Sequence, residues 1–378
     1  MKFLLVQTTA SDHLYGVTNR AIAASLERLG HAAQILPAPA NTPLHEIAQA
    51  IHANAPDFVF SLGSFLGGLV ADSGASIFDI LGARFIGWQF DHPLYTQHNL
   101  AAPMAGRMSV YANASHAAFA ARLGVSGPSA VLLVGGVAHP GPIKTFEDRA
   151  IPILVVATYN GPARRPWETL AAGPERRLIE TIADALMADP RASLTAACDL
   201  ARRTFALTPD LEGQIAEPLR AVLTYVRHKD RMEAITALVD ARLPVTLVGD
   251  GWAEHFGARA NLAASGSVPF AEVHRLYGDA KVVVNINAAN GGCERAIQAM
   301  LAGAAVVSDM SESFAAMGLG EDALRVFDRS RVETLCGVAG DLLESVAGAR
   351  MAETGYRRAT ASQLWDHRLG ALLDGLGG

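Results

Sequence analysis

The densest group of side chains able to do chemistry runs Asn285-Ile286-Asn287-Ala288-Ala289-Asn290-Gly291-Gly292-Cys293-Glu294-Arg295-Ala296-Ile297-Gln298. On a strand, Asn285 and Asn287 point to one side, because side chains alternate between faces. Gly291 and Gly292 let the backbone come close to a ligand, with Asn290 and Cys293 on either side of them. A helix beginning at Glu294 would offer unpaired N–H groups and a partial positive charge, which suits an anion such as a diphosphate. Arg295 in its first turn has the planar fork for a bidentate phosphate contact. Glu294 and Gln298, four residues apart, share a helix face and can bind ribose or sugar hydroxyls. The same residues read equally as a tight turn, with Glu294 a favourable first-turn charge and Arg295 a solvated side chain.

A second candidate is Trp88-Gln89-Phe90-Asp91-His92-Pro93. It stands where a strand should end, and Pro93 fixes a turn that exposes Asp91 and His92. His92 is suited to act as a base or to hold an acceptor hydroxyl. Asp-x-Pro is also ordinary turn chemistry, and a single histidine is more often structural. The first loop, residues 8–16, brings Asp12, His13 and Gly16 to the end of the first expected strand. Thr158-Tyr159-Asn160-Gly161 with Arg164-Arg165, and Gly249-Asp250-Gly251-Trp252, follow two later strands. The latter can hold a nucleotide base against its backbone or serve as a turn beside a core tryptophan. His228, His255 and His274 have no partner at ligand spacing and read as structural.

The elements that must position these residues follow from periodicity. Apolar runs at 3–6, 33–36, 57–61, 84–89, 111–114 and 130–134 read as strands, with helical patterns between them. The Pro/Gly stretch Ala138-His139-Pro140-Gly141-Pro142 predicts a boundary. Beyond it come a strand at 151–157, a mostly helical region from 167 to about 243, and strands at 245–248, 268, 282–287 and 305–308. A helix over 294–301 and a helical tail over 331–376 complete the reading. Alternation with short loops predicts two doubly wound, Rossmann-like α/β sheets, whose ligands bind at the carboxyl ends of the strands, facing a central cleft.

Composition narrows the partners. The 378 residues are 50% apolar and 18% charged, enough for two cores at roughly 150 residues per domain. A net charge of −6 without a basic run argues against nucleic acid. Three widely spaced cysteines, Cys198, Cys293 and Cys336, give neither a disulfide framework nor a zinc pattern. No apolar run reaches the ~18 residues of a membrane span, and no targeting signal is visible, so a cytoplasmic location is expected.

From Val245-Thr246-Leu247-Val248-Gly249-Asp250-Gly251-Trp252 through Gly266-Ser267-Val268-Pro269-Phe270 to Val283-Val284-Asn285, the second half resembles the carboxyl-terminal domain of GT-B glycosyltransferases, nearest the CgeB-like branch of the group 1, family 4-like enzymes. The first half resembles that branch more faintly, through Ala55-Pro56-Asp57-Phe58-Val59-Phe60 and Gly87 to Pro93. The family's Arg-x-x-Glu signature falls on Arg295 and Gln298, and its pair of glutamates eight positions apart falls on Asn290 and Gln298, neither a carboxylate.

The resemblance implies residues 1–145 as an acceptor domain, 146–361 as a nucleotide-sugar donor domain, and 362–378 as a helix returning to the first. It implies a hexosyltransferase-type enzyme that needs no metal or other cofactor, takes a nucleotide-sugar donor and a glycan, lipid or protein acceptor, and retains anomeric configuration. Asp91, His92, Glu294 and Arg295 would be catalytic. Donor binding would fall to Gly249, Asp250, Gly251, Asn287, Asn290, Gly291, Gly292, Cys293, Gln298, Arg165 and Asn160, and the acceptor side to Asp12, His13 and Gly16. A nucleotide-sugar epimerase and a non-catalytic nucleotide-sugar or saccharide-binding protein are the alternatives.

Overall fold

The computed structural model describes residues 1–39, 41–189, 191–207, 211–287 and 294–376. The chain divides into two compact units, one of residues 1–135, 212–214 and 365–378, the other of 136–211 and 215–364. Each is a parallel sheet with helices, as the alternation predicts.

In the first unit the strands are β1 (Lys2–Gln7), β2 (Ala32–Pro37), β3 (Phe58–Leu62), β4 (Arg84–Gln89), β5 (Arg107–Tyr111) and β6 (Ser129–Val131). They lie in the order β2-β1-β3-β4-β5-β6 with every pair parallel. The run Phe-Val-Phe-Ser-Leu of β3 is buried throughout, the mark of a strand covered on both faces. Leu4, Val6, Val59 and Phe85 pack beneath Ile47, Ile51 and Phe78, and each such side chain contributes about 1.5–3 kcal/mol on burial. The Trp365–Leu376 helix closes this unit. Trp365 packs edge-on against Trp88, with ring centroids 5.1 Å apart.

The second unit has β7 (Ile151–Val156), β8 (Val245–Val248), β9 (Leu262–Ser265), β10 (Ala280–Asn285), β11 (Ala305–Ser308) and β12 (Arg325–Val326). Their order is β12-β11-β10-β7-β8-β9, all parallel, so the winding reverses between β7 and β10. Between β7 and β8 the chain makes a long helical excursion that includes Pro174–Ala188, Leu194–Phe205 and Ala216–Asp240. Arg149, buried, ties the entry to this sheet by donating to the carbonyls of Tyr277, Ala280, Lys144 and Ala302.

Three local expectations are corrected. The strand expected at 111–114 ends at Tyr111, because the Asn113 side chain accepts from the His116 N–H at 2.8 Å and starts the Ala114–Arg122 helix. Val268 is not in a strand, and the neighbouring strand is Leu262–Ser265, whose small residues give a weak β signal. The strand Arg325–Val326 adds an edge that periodicity does not show.

Candidate functional site

In the second unit the reversal between β7 and β10 is the place where a doubly wound sheet binds ligands. Arg295, on the Glu294–Leu301 helix, reaches it. Its Nη1 donates to the carbonyl of Val156, the last residue of β7, at 2.9 Å. Its Nη2 lies 3.4 Å from both the Ile286 carbonyl and the Asn287 Oδ1, just past β10. The guanidinium therefore bridges the two strand ends while keeping further N–H donors, since the group carries five. Asn287 is held by its own N–H, which donates to both carboxylate oxygens of Asp309 at 3.0 Å. The Asn287 Nδ2 is shielded from solvent and has no partner among the described residues. Asn285 is a structural neighbour, donating to Ser308 Oγ at 2.8 Å. Burial pushes the hydroxyl of Tyr277, close to Arg295 and Glu294, far up, so it stays protonated.

The β7 and β8 ends are joined just as tightly. Gly249 has φ 145° and a Cβ there would overlap the Ala157 carbonyl, so no other residue fits. Trp252 Nε1 donates to the same carbonyl at 2.7 Å, and the Tyr159 N–H to Asp250 O at 2.9 Å. Tyr159 stacks on His255 with centroids 4.5 Å apart. The Asp250 carboxylate accepts from the Ser267 N–H and hydroxyl, both at 2.7 Å, which hold it below the usual carboxylate range. Gly251 packs against Tyr159, and Asn160 is exposed. Arg165, also exposed, has its Nε 3.4 Å from the Tyr225 hydroxyl.

Gln298, on the same helix, is 2% exposed. Its Oε1 accepts from the Val137 N–H at 3.2 Å and lies 2.9 Å from His274 Nε2. Because Val137 can only donate, the atom it meets is the amide oxygen, and His274 then carries its proton on Nε2. Burial lowers the pKa of His274, in keeping with a neutral ring. Glu294 is partly buried at the start of the helix. Asn290, Gly291, Gly292 and Cys293 lie outside the described residues.

In the first unit, His13 caps the Leu14–Arg28 helix through Nδ1, which accepts from the Tyr15 N–H at 3.3 Å. Gly16 makes room for the loop before it, since a Cβ would come within 2.5 Å of the Ala10 carbonyl. Asp12 and Asp91 are exposed. The turn does not expose His92 as expected: the ring is buried, accepts from the Leu94 N–H at 3.4 Å, and packs edge-on against His116 and Phe119, with centroids 4.9 and 4.6 Å away. The sequence reading missed Gln89 and Ser64. Gln89 is fully buried, donates to Ser64 Oγ and accepts from Thr96 Oγ1 at 2.7 Å. It anchors a loop in which Ser64 and Leu66 have φ of 52° and 69°. Non-glycine residues persist in that region where the surrounding structure over-determines them.

Residues 220–374 match a family model described as glycosyl transferase-like. No curated protein sequence matches the chain. Among solved structures, the sucrose-phosphate synthase of Thermosynechococcus elongatus superposes with a TM-score of 0.55 at 11% identity, covering 100% of this chain and 99% of that one. Anabaena HepE in complex with UDP-glucose gives the same values. AviGT4, a glycosyltransferase involved in avilamycin A biosynthesis, has a TM-score of 0.51 at 13% identity, covering 99% and 96%. The fold is GT-B. In this GT-B chain no group of three or more His, Cys, Asp or Glu among the described residues could hold a metal ion. No helix among them is long and apolar enough to cross a membrane.

Proposed function

We propose that this protein is a glycosyltransferase that moves a sugar from a nucleotide diphosphate sugar, held by the second unit, to a hydroxyl of an acceptor held by the first. The observation that carries the reading is Arg295. Its guanidinium is fixed on the Val156 carbonyl at the strand reversal, beside the unsatisfied Asn287 Nδ2, and it lies inside the glycosyl transferase-like segment. Two donor groups that converge where a doubly wound sheet takes its ligands suit the phosphates of such a donor.

In the reaction the bond from the anomeric carbon to the diphosphate oxygen breaks, a bond from the acceptor oxygen to that carbon forms, and the hydroxyl proton leaves for a base or the departing phosphate. Arg295 and Asn287 would meet the charge that grows on the leaving oxygen, so the reading needs no metal. Retention of anomeric configuration belongs to the same proposal, as the resemblance to family 4-like enzymes implies. Asp91, exposed just beyond the end of β4, would orient the acceptor, and His92 would hold that turn from below. HepE is solved with UDP-glucose, so uridine diphosphate sugars are the first donors to test.

The experiment is thermal stabilisation by UDP, GDP, dTDP, ADP and CMP sugars with EDTA present, followed by chromatography for glycosylated acceptor. Ligand at 100 times its Kd adds about 2.7 kcal/mol. Stabilisation by one base and sugar transfer from it support the reading. A non-catalytic nucleotide-sugar binder is favoured by one observation, the engagement of the Gln298 oxygen by Val137 and His274, which takes it from the ribose. Saturable binding with no release of nucleotide across an acceptor panel would establish that second reading.

A further inference from the structure

The first unit carries a cavity of about 390 Å³ to which no role has been given so far. Its lining comes from the segments that follow the carboxyl ends of β1, β2 and β3, the three strands around the reversal of that sheet, where a ligand is expected. Its walls are chiefly apolar: Ala38, Pro39, Leu44, Ile47, Leu66 and Leu69, with the ring of Phe65. Thr8, Thr9 and Thr42 supply the polar atoms. The Thr9 Oγ1 is shielded from solvent and has no hydrogen-bond partner among the described residues. An orphaned hydroxyl costs free energy unless something answers it.

The wall is also held at a cost. Leu66 sits at φ 69° and Ser64, two residues earlier, at φ 52°. The loop between them is pinned by Ser61, whose hydroxyl donates to the Phe65 carbonyl at 2.8 Å, and by Gln89 on Ser64. An apolar cavity of this size, with three threonines at its wall, one of them unsatisfied, and a strained loop beside it, has the features of a small-molecule site.

The geometry points to this cavity as the seat of a compact apolar group on the acceptor, with Thr9 Oγ1 bonding a polar atom at its edge. This inference rests on the transferase reading and specifies its acceptor class: a hydroxylated molecule with an apolar ring or short chain next to its hydroxyls, not a bare sugar. An aromatic and an alkyl substituent share this chemistry, and the probes separate them.

The test is saturation-transfer NMR on the full chain without donor, using 4-nitrophenyl β-D-glucoside, octyl β-D-glucoside and methyl β-D-glucoside. The expected result is transfer to the nitrophenyl or octyl protons and none to the methyl glucoside. Leu44 is 38% exposed at the rim, so Leu44→Trp narrows the cavity without disturbing the core. It should abolish the transfer with the thermal midpoint unchanged. Thr9→Val, close in shape, should weaken binding about 3- to 10-fold, the worth of one hydrogen bond. Equal transfer to all three glucosides, no transfer to any, or transfer undiminished in Leu44→Trp overturns the inference. Nucleotide-sugar stabilisation of the same sample reads the second unit separately. A failed acceptor site is thereby distinguished from a failed transferase reading.

Discussion

The Arg295 Nη1 lies 2.9 Å from the carbonyl oxygen of Val156, so the first turn of one helix is tied to the last residue of the strand on the other side of the sheet's reversal. A cation at a helix amino end is unfavourable beside the N–H dipoles unless an anion or fixed acceptors compensate it. Backbone carbonyls compensate part of that cost here, and they also fix the fork's direction.

Arg295→Lys tests what the fork does. Lysine keeps the charge but cannot bond the Val156 carbonyl and a phosphate as a planar pair. Turnover should fall by a factor of about 100 or more, on the scale of losing one oxyanion donor. The thermal midpoint should move little, because the residue is only partly buried. Transfer at a near-normal rate would remove Arg295 from the reaction.

The sheets were largely legible because several central strands, such as β1, β7 and β11, are nearly continuous apolar runs. Val245–Val248 and Ala305–Ser308 begin and end where periodicity puts them. β5 was missed in part because it opens with Arg107, a residue that reads as surface but is buried here, donating to the carbonyls of Leu100 and Gly67. Arg295 stands out in sequence by its type and its place in the first turn of the helix. Its bond to Val156, 139 residues away in sequence, does not. Likewise nothing local in sequence shows that the Gln298 oxygen meets Val137, or that Thr9 is left unsatisfied beside a cavity. Such pairings depend on how distant segments meet, and composition and periodicity do not encode that.

The Trp365–Leu376 helix should detach from the first unit's Leu14–Arg28 helix more readily in acid. Arg28 and Ser25 both donate to Asp366, at 2.5 Å each, and hold its carboxyl down to about 2. A carboxyl depressed in the folded state adds stability above its unfolded value near 3.9, and that stability fades as pH falls through the folded value. Asp366 is 36% exposed, so solvent screening reduces the gain to about 1 kcal/mol. Urea unfolding of Asp366→Asn should show that deficit at pH 7 and only a small part of it near pH 2. A deficit constant with pH would mean that packing, not charge, is responsible.

Asp230 and Arg329 form a pair 3.0 Å apart with each side chain 4% exposed. Removing one partner strands the other charge, so Asp230→Ala and Arg329→Met should each cost about 3–5 kcal/mol, while Asp230→Leu with Arg329→Met together should cost far less. Burial pushes Asp230 up to about 6 in spite of Arg329. A carboxyl raised in the folded state lends stability at low pH that is lost as pH rises through its folded value. Denaturation midpoints of the wild type should therefore decline relative to Asp230→Asn between about pH 4 and 6. Equal slopes for the two proteins would show that burial does not set this carboxyl.

Gln298→Glu restores the carboxylate that the resemblance expects, and its outcome separates a structural tie from a ligand contact. The new carboxylate would sit where the Val137 N–H and His274 Nε2 converge, in a site only 2% exposed. With His274 neutral, that buried charge has no counter-ion at its side and must pay desolvation. Protonating His274 supplies one, so the variant should raise the His274 pKa from its present depressed position, where burial has put it. NMR titration of the ring should show the rise. The variant's stability deficit should shrink as pH falls through the new value, because the folded state then binds the extra proton more tightly than the unfolded chain. A structural tie predicts this shift with donor affinity unchanged. If affinity for the nucleotide sugar instead rises tenfold or more while His274 titrates as before, the carboxylate faces the donor and the tie to Val137 is not what position 298 is for.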